Sequence, residues 1–347
     1  METGRPVGNS GYRASRRIET GRGWKFLFSG IGCDRGRVLS GSSATGADTA
    51  AVRDAGQVPV HTNLVGRAHD AVAELQQNGA ATLVLAVLVG GLAMFLGASM
   101  WRSWSGERRA TGSALVGLQC AGLAAALIAL AYQVRVGAWL IIADPAVLGW
   151  FAEHRSNSVT GPAIAVTDAG GPAGTIVLAV VFGAVLARRT RSPIPALVLI
   201  GTVGGAALAS TMTKYVVGRT RPPIVTQVLL ETDYSFPSGH ATGAMALFTT
   251  VAVMVGYTLP RIRRALLLIV AAAVTVVVSA TRLYLGEHWL TDVIGGVLLG
   301  GLAAVIGGAL YTAWMDRTRT HGWQSTTPNE NAAHPDHTNK TTAGRAG

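Results

Sequence analysis

Long uncharged apolar runs alternate with short polar segments from residue 75 to residue 315. Each run has about 20 residues, which is enough to cross the hydrocarbon core of a bilayer as a helix. The pattern therefore predicts an all-α integral membrane protein. The seven predicted spans are residues 75–101, 110–134, 169–187, 192–213, 241–260, 265–281 and 293–315.

The first span stands apart from the other six, which follow one another within residues 110–315. We predict a domain of six core transmembrane helices there and one extra N-terminal span at 75–101. If that extra run lies flat in the membrane instead, the core spans remain. Residues 1–74 are rich in Gly, Ser, Ala and Arg, which predicts a disordered leader. The polar residues 316–347 predict a disordered cytoplasmic tail.

The stretch between the second and third spans is amphipathic. Residues 135–168 carry Asp144, Trp139 and Trp150, with Arg135 near the start. Tryptophan and arginine around a short amphipathic run are typical of a helix at the membrane interface. We therefore predict an interfacial helix that either anchors the domain or helps a lipid to enter sideways.

Lysine and arginine number 29 against 18 Asp and Glu, and most of this excess lies in loops and tails. No basic stripe is interleaved with aromatic residues, so no nucleic-acid partner is predicted. Arginine-rich loops face the cytoplasm, and four such clusters share one side if all seven spans cross. This predicts a multi-pass protein of the cell membrane. The clusters are Arg102, Arg108 and Arg109; Arg188, Arg189 and Arg191; Arg261, Arg263 and Arg264; and Arg317 and Arg319.

The same threading places three short polar clusters on the opposite, extracytoplasmic side. They are residues 214–222, 237–240 and 282–292, and each lies at the end of an apolar span. Ionisable groups at membrane depth are expensive and by default indicate a function. The three clusters therefore predict one shared site.

Three cations belong to these clusters: Lys214, Arg221 and Arg282. No Asp or Glu lies in the immediate sequence neighbourhood of Lys214 and Arg221 to neutralise them. A shared anion explains all three, and guanidinium groups suit phosphate oxygens because both can pair in a bidentate manner. The alternative is that each cation extends to the interface or binds a lipid headgroup.

The second cluster, Pro237-Ser238-Gly239-His240, immediately precedes a span. Ser238 is the predicted N-cap, so the amides of Gly239 and His240 would face outward at the positive end of a helix. Such an end binds anions. Gly239 would also let the backbone approach the ligand closely. This cluster predicts a second part of the same anion site.

His288 and Asp292, in the third cluster, are four residues apart at the start of the last span, so they share one helix face. A carboxylate that accepts one imidazole N–H fixes the tautomer and leaves the other nitrogen free to attack. His240 would then be a separate histidine, placed to protonate a leaving oxygen. The arrangement predicts a histidine nucleophile with its own acid.

In this order, Lys-x6-Arg-Pro, Pro-Ser-Gly-His and Arg-x5-His-x3-Asp resemble the signature of the type 2 phosphatidic acid phosphatase superfamily. That family is similar in site architecture to vanadium haloperoxidases and bacterial acid phosphatases. The resemblance covers about residues 135–315. The third motif of the family usually opens with Ser-Arg, whereas this chain has Thr281-Arg282. A hydroxyl is retained, so we expect little effect.

The resemblance implies a role for each matching residue. His288 would attack phosphorus to form a phosphohistidine, and Asp292 would orient it. His240 would protonate the leaving group and then activate water. No metal or other cofactor is implied, because cations and the helix end stabilise the transition-state charge. The implied phosphate-binding groups are Lys214, Arg221, Ser238, the Gly239 amide and Arg282.

The leading hypothesis is a metal-independent membrane phosphatase that acts on a lipid phosphate or diphosphate at the extracytoplasmic face. The resemblance suggests phosphatidic acid, phosphatidylglycerol phosphate or a polyprenyl diphosphate as substrate. The bilayer and this lipid are the expected partners, and no obligate protein partner is evident.

Two alternatives remain open at this stage. One is a vanadate-dependent haloperoxidase-like enzyme, although haloperoxidases are soluble and seven apolar spans argue against it. The other is a catalytically inactive lipid-binding or transport protein. A dead site would have lost at least one charged or imidazole group, yet all are present.

Overall fold

The computed structural model describes residues 79–105 and 110–324, and the predicted leader at 1–74 lies outside these ranges. The described residues form helices and contain no strand, which confirms the all-α prediction. A 3-10 turn, Trp139–Ile142, follows the second helix. The helices are α1 (Gly79–Ser105), α2 (Ala110–Val136), α3 (Ala143–Glu153), α4 (Asn157–Gly170), α5 (Pro172–Thr190), α6 (Ile194–Val217), α7 (Gly239–Gly256), α8 (Arg261–Tyr284) and α9 (Leu290–Gln324).

Seven helices in the described ranges are long and apolar enough to cross a membrane, as the hydrophobic pattern predicts. They are α1, α2 and α5 to α9. The protein is therefore a multi-pass membrane protein whose core spans are α2 and α5 to α9. Sequence boundaries are less accurate than the spans themselves, because helix ends depend on capping and on neighbouring contacts.

The last helix shows the largest boundary error. It continues to Gln324, whereas the sequence predicts a disordered tail from residue 316. Asp316 accepts a hydrogen bond from the Tyr257 hydroxyl, and the Arg319 guanidinium lies 4.9 Å from the centre of the Tyr257 ring. These contacts attach the extension to the end of α7, so the prediction was wrong for residues 316–324. Residues 325–347 lie outside the described part of the chain.

The extra N-terminal span packs on the core. Gly91 of α1 faces Gly122 of α2 so closely that a Cβ on Gly91 would lie 2.5 Å from the Gly122 carbonyl oxygen. Phe95 and its neighbours on α1 extend the apolar cluster that holds Leu123 and Leu130 of α2. Small residues let membrane helices approach in this way and gain dispersion contacts.

Close packing of α9 against α7 brings two of the polar clusters together. A Cβ on Gly296 of α9 would lie 2.6 Å from the Ser238 carbonyl oxygen, so only glycine fits there. Gly300, one turn further, meets Met245 of α7 in the same way. The first turn of α9 therefore lies beside the first turn of α7, with the segment that carries His288 next to Ser238.

Four core helices begin or end at the same end of the bundle. α6 and α8 end there, and α7 and α9 begin there, which gathers the three polar clusters. Arg188 and Arg189 lie in the last turn of α5, and Arg261 begins α8, at the other end. The segment predicted as one interfacial helix at 135–168 is instead the 3-10 turn followed by α3 and α4. It divides because Arg155 and Ser156 bond to Tyr284 between the two helices.

Candidate active site

The segment between α8 and α9 carries the predicted nucleophile. Gly286 turns the chain there with a φ of +72°, and a Cβ at this position would collide with the Thr226 carbonyl. His288 follows and is only 1% exposed. Its Nδ1 lies 3.4 Å from Asp292 Oδ2. The structure thus brings this predicted pair together, although the contact is longer than an ordinary hydrogen bond.

Arg221 lies on the other side of the His288 ring. Its Nη1 is 3.3 Å from His288 Nε2 and donates to the Glu287 carbonyl at 2.8 Å. A guanidinium can only donate, so Nε2 is the acceptor and the imidazole proton lies on Nδ1, towards Asp292. An oxyanion held by Arg221 would therefore be next to an unprotonated nitrogen.

Arg282 is almost fully enclosed, with 1% of its surface exposed. It donates to the Thr167 hydroxyl at 2.7 Å and to Glu231 Oε1 at 3.2 Å, and it forms a buried ion pair with Glu287. Glu287 was not singled out from the sequence. It would have been hard to find, because an acid between Gly286 and His288 has no distinctive spacing.

The sequence argument that no carboxylate neutralises Lys214 and Arg221 was wrong. Asp233 forms ion pairs with both cations, and Glu231 lies 3.8 Å from Arg221 as well as beside Arg282. These acids come from the loop before α7, which folds back over the site. Carboxylates therefore take the positions around the three cations that the sequence assigns to a phosphate.

Ser238 lies at the N-cap of α7, as predicted, but its hydroxyl makes no capping hydrogen bond. Its oxygen is buried and has no hydrogen-bond partner among the residues that the structure describes. Gly239 begins α7 and borders a cavity that also contacts Lys214. A buried, unpartnered hydroxyl beside the first turn of a helix leaves a donor for an anion.

His240 follows in the same turn. Its Nε2 lies above Gly171, where a Cβ would be 3.1 Å away, so the glycine leaves room for the ring. His240 is also within electrostatic range of His288 and Arg282. The structure thus gathers all the predicted site residues at one end of the bundle.

Burial and charge determine which groups are ionised outside the membrane spans. Burial, together with the charges of Arg221 and Arg282, holds the pKa of His288 well below its usual range, which keeps the imidazole neutral. Partial burial acts to raise the pKa of Asp233, but hydrogen bonds from Lys214 and Arg221 outweigh it and hold the pKa at about 2. Burial raises the pKa of Glu287 to about 7, although the positive charge of Arg282 acts to lower it.

Sequence reasoning missed a charged network behind the predicted nucleophile. Arg219 donates to Asp292 Oδ1 at 2.7 Å and to Asp144 Oδ2 at 2.5 Å. Thr291 donates its backbone N–H and its hydroxyl to Asp144 at 2.9 and 2.7 Å. The sequence offered two signals for this network. Asp144 is a lone carboxylate in an apolar segment, and Arg219 lies two residues before Arg221.

A cavity of about 520 Å³ extends from the site between α5, α6 and α7. Lys214, Asp233 and Gly239 border it at the polar end. Further along α5 and α6 it is bordered by apolar side chains such as Ile176 and Val203. This shape joins a polar site to an apolar groove along the helices.

Comparison with known proteins agrees with this architecture. The family model of the PAP2 superfamily matches residues 195–318. Phosphatidylglycerophosphatase B of Bacillus subtilis (strain 168) is 32% identical over 139 residues, which are 39% of this chain and 66% of that protein. Undecaprenyl-diphosphatase of Sulfolobus acidocaldarius is 41% identical over 100 residues, 27% of this chain and 45% of that protein. Human sphingosine-1-phosphate phosphatase 2 is 36% identical over 96 residues, 27% of this chain and 23% of that protein.

These matches span between about a quarter and about two thirds of the length of the curated relatives. A solved structure agrees over more of its length. The crystal structure of the first transmembrane PAP2 type phosphatidylglycerolphosphate phosphatase from Bacillus subtilis superposes with a TM-score of 0.51 at 25% identity, covering 57% of this chain and 96% of that one. Since its motifs, its helical bundle and these similarities all agree, this chain belongs to the PAP2 superfamily.

Proposed function

We propose that this protein hydrolyses the phosphate or diphosphate ester of a membrane lipid through a phosphohistidine. The observation that carries the proposal is the 3.3 Å contact between Arg221 Nη1 and His288 Nε2, beside two further cations. This contact places the guanidinium of Arg221, which can bind an anion, next to the unprotonated nitrogen of a neutral imidazole. A nucleophile and the charge of the phosphoryl group are thus held in one place.

In the first step, Arg221 turns its N–H from Nε2 of His288 to a phosphoryl oxygen, and the freed Nε2 attacks phosphorus as the bond from phosphorus to the leaving oxygen breaks. Protonated His240 donates a proton to that oxygen, so the leaving group departs as a lipid alcohol or as a lipid phosphate that carries one more proton. In the second step, His240 takes a proton from water, which attacks the phosphohistidine. The phosphorus–nitrogen bond breaks, inorganic phosphate leaves and both histidines return to their starting states.

The charge that develops on the phosphoryl oxygens is stabilised by Lys214, Arg221 and Arg282. Substrate entry displaces the carboxylates of Glu231 and Asp233 from these cations. The hydroxyl of Ser238 and the amides at the start of α7 supply further donors. Asp292 faces Nδ1 and stabilises the positive charge that the imidazole gains as it attacks.

The cavity between α5, α6 and α7 supports a lipid substrate. Its volume of about 520 Å³ and its apolar depth suit an acyl or prenyl chain, while its polar end meets Lys214. The similar proteins are named for phosphatidylglycerophosphate, undecaprenyl diphosphate and sphingosine-1-phosphate. Phosphatidic acid, phosphatidylglycerol phosphate and a polyprenyl diphosphate are therefore the substrates to test.

The site faces the extracytoplasmic side of the cell membrane in this proposal. The arginines that end α5 and begin α8 lie at the opposite end of the helices. Positive loops remain in the cytoplasm during membrane insertion. The substrate headgroup would thus be hydrolysed outside the cytoplasm.

The proposal is tested by phosphate release in detergent with EDTA, from phosphatidic acid, phosphatidylglycerol phosphate and undecaprenyl diphosphate. His288→Ala should lose turnover while keeping its thermal stability. His154→Ala is the matched control, since His154 is exposed and its ring stacks on Trp150 away from the site. Wild-type rates in the His288 variant, or no release of phosphate from any of the three lipids, would overturn the proposal.

A further inference from the structure

We propose that Asp144 is a positioning residue for the reaction, acting through Arg219 on the carboxylate that faces the nucleophile. The inference rests on the proposed function. Asp144 lies in the first turn of α3, outside the membrane spans, and is 1% exposed. A buried carboxylate is tolerated only where it is paired and hydrogen-bonded, and here Arg219 and Thr291 meet that need.

Arg219 is shared between two buried carboxylates. Its Nη2 lies 2.5 Å from Asp144 Oδ2, while its Nη1 donates to Asp292 Oδ1 at 2.7 Å and to the Thr291 hydroxyl at 2.6 Å. The two ends of the planar guanidinium therefore point in different directions. Asp144 binds the Nη2 end of the guanidinium, and Asp292 accepts a hydrogen bond from the Nη1 end.

This division determines what Asp292 offers to the imidazole. Its Oδ1 is taken by Arg219, whereas Oδ2 accepts the Trp289 backbone N–H at 2.9 Å and faces His288 Nδ1 at 3.4 Å. Both carboxylate oxygens are thus fixed. The Trp289 ring also lies beside Arg219, 5.4 Å from ring centre to guanidinium carbon.

Without the Asp144 charge, Arg219 would be free to turn and pair with both oxygens of Asp292 in a bidentate manner. Oδ2 would then be drawn away from Nδ1, and the arginine would neutralise the charge that stabilises the imidazolium. The chemical step would therefore become slower, and the loss of activity would appear in kcat. Substrate affinity would be spared, because Asp144 contacts neither Lys214 nor Arg221.

Asp144→Asn keeps the shape of the side chain and removes its charge. We expect kcat to fall about tenfold to hundredfold, as small displacements of a reacting group do. KM and the inhibition constant of inorganic phosphate should stay within about twofold. Arg219→Lys should have the same effect, since lysine keeps the charge but cannot bridge two carboxylates. Asp168→Asn, an exposed carboxylate on α4, is the matched control and should leave both parameters unchanged.

A double-mutant cycle separates positioning from a general loss of structure. If Asp144 acts through Asp292, the pair Asp144→Asn with Asp292→Asn should be no slower than Asp292→Asn alone. Multiplicative losses, a rise in KM that accounts for the loss, or wild-type kcat in Asp144→Asn would each overturn the inference. If Asp144→Asn does not fold, by thermal melting, Arg219→Lys provides the same comparison. A wild type that releases no lipid phosphate would overturn the proposed function and this inference with it.

Discussion

In the proposed mechanism, a phosphate must compete with the carboxylate of Asp233, so removal of this carboxylate should tighten phosphate binding. It pairs with Lys214 and with Arg221, both of which the proposed mechanism assigns to the substrate. Its pKa of about 2 keeps it charged at neutral pH. Asp233→Asn retains the size of the side chain and cancels the charge, so it removes a competitor without opening a void.

The size of the effect follows from the exposure of Asp233. Its side chain is 53% exposed, so solvent screens both ion pairs. Exposed ion pairs stabilise by about 0.2–1 kcal/mol each. Two such pairs amount to about 1 kcal/mol, which corresponds to a change of about fivefold in affinity. We therefore expect the inhibition constant of inorganic phosphate and the KM for lipid to fall about fivefold.

Phosphate inhibition is measured in detergent at low and at high ionic strength. The gain should be smaller at high salt, because salt screens exposed charges over about 10 Å at 0.1 M. Asp168→Asn again serves as the control for loss of an exposed carboxylate. The opposite result, weaker phosphate binding and a higher KM in Asp233→Asn, would refute the reasoning. It would mean that Asp233 organises the two cations instead of competing for them.

Three further predictions concern pH, transition-state mimicry and topology. Glu287 has a pKa raised to about 7 from 4.5, so the native state binds the proton more tightly and stability should fall between about pH 4.5 and pH 7 by up to about 3 kcal/mol. Melting temperatures measured across this pH range should fall more steeply for the wild type than for Glu287→Gln. An equal dependence on pH would contradict the raised pKa of Glu287. Vanadate should inhibit competitively in the presence of EDTA, and its binding should be lost in His288→Ala; strong inhibition by EDTA alone would point to a metal. A cysteine at Tyr234 should react with an impermeant thiol reagent in intact cells, whereas labelling only after lysis would reverse the topology.

The membrane spans could be predicted because hydrophobic length is a local property of the chain. Each span from α5 to α8 begins or ends within a few residues of its predicted limit. The end of α9 could not be predicted from the sequence, because the contact with Tyr257 that extends the helix comes from the end of α7. Short helices such as α3 and α4 were merged into one, since their division depends on bonds to Tyr284 from outside the segment.

The cations of the site could also be predicted, whereas their carboxylate partners could not. Lys214, Arg221 and Arg282 stand out because they interrupt or end apolar runs. Asp144 lies 75 residues before Arg219 in the sequence, and only the packing of α3 beside the first turn of α9 brings them together. An ion pair at that distance leaves no periodic signal.

Apart from Glu287, the carboxylates of the site fall into two pairs, and in the proposed mechanism the difference between the pairs determines how a phosphate enters. Four cations, Lys214, Arg219, Arg221 and Arg282, are paired with five acids, so carboxyl groups already outnumber the cations before any ligand binds. A phosphate dianion would add further negative charge to a cluster whose cations are all paired, and buried excess charge is costly.

Asp144 and Asp292 are both buried and held by Arg219. Glu231 and Asp233 are 36% and 53% exposed and belong to the loop before α7. They can move into solvent as the phosphate arrives, and the cations that they leave are those that would bind it. In the proposed mechanism, the buried acids therefore fix the nucleophile, while the loop acids pair with the cations of the empty site and give way to the substrate.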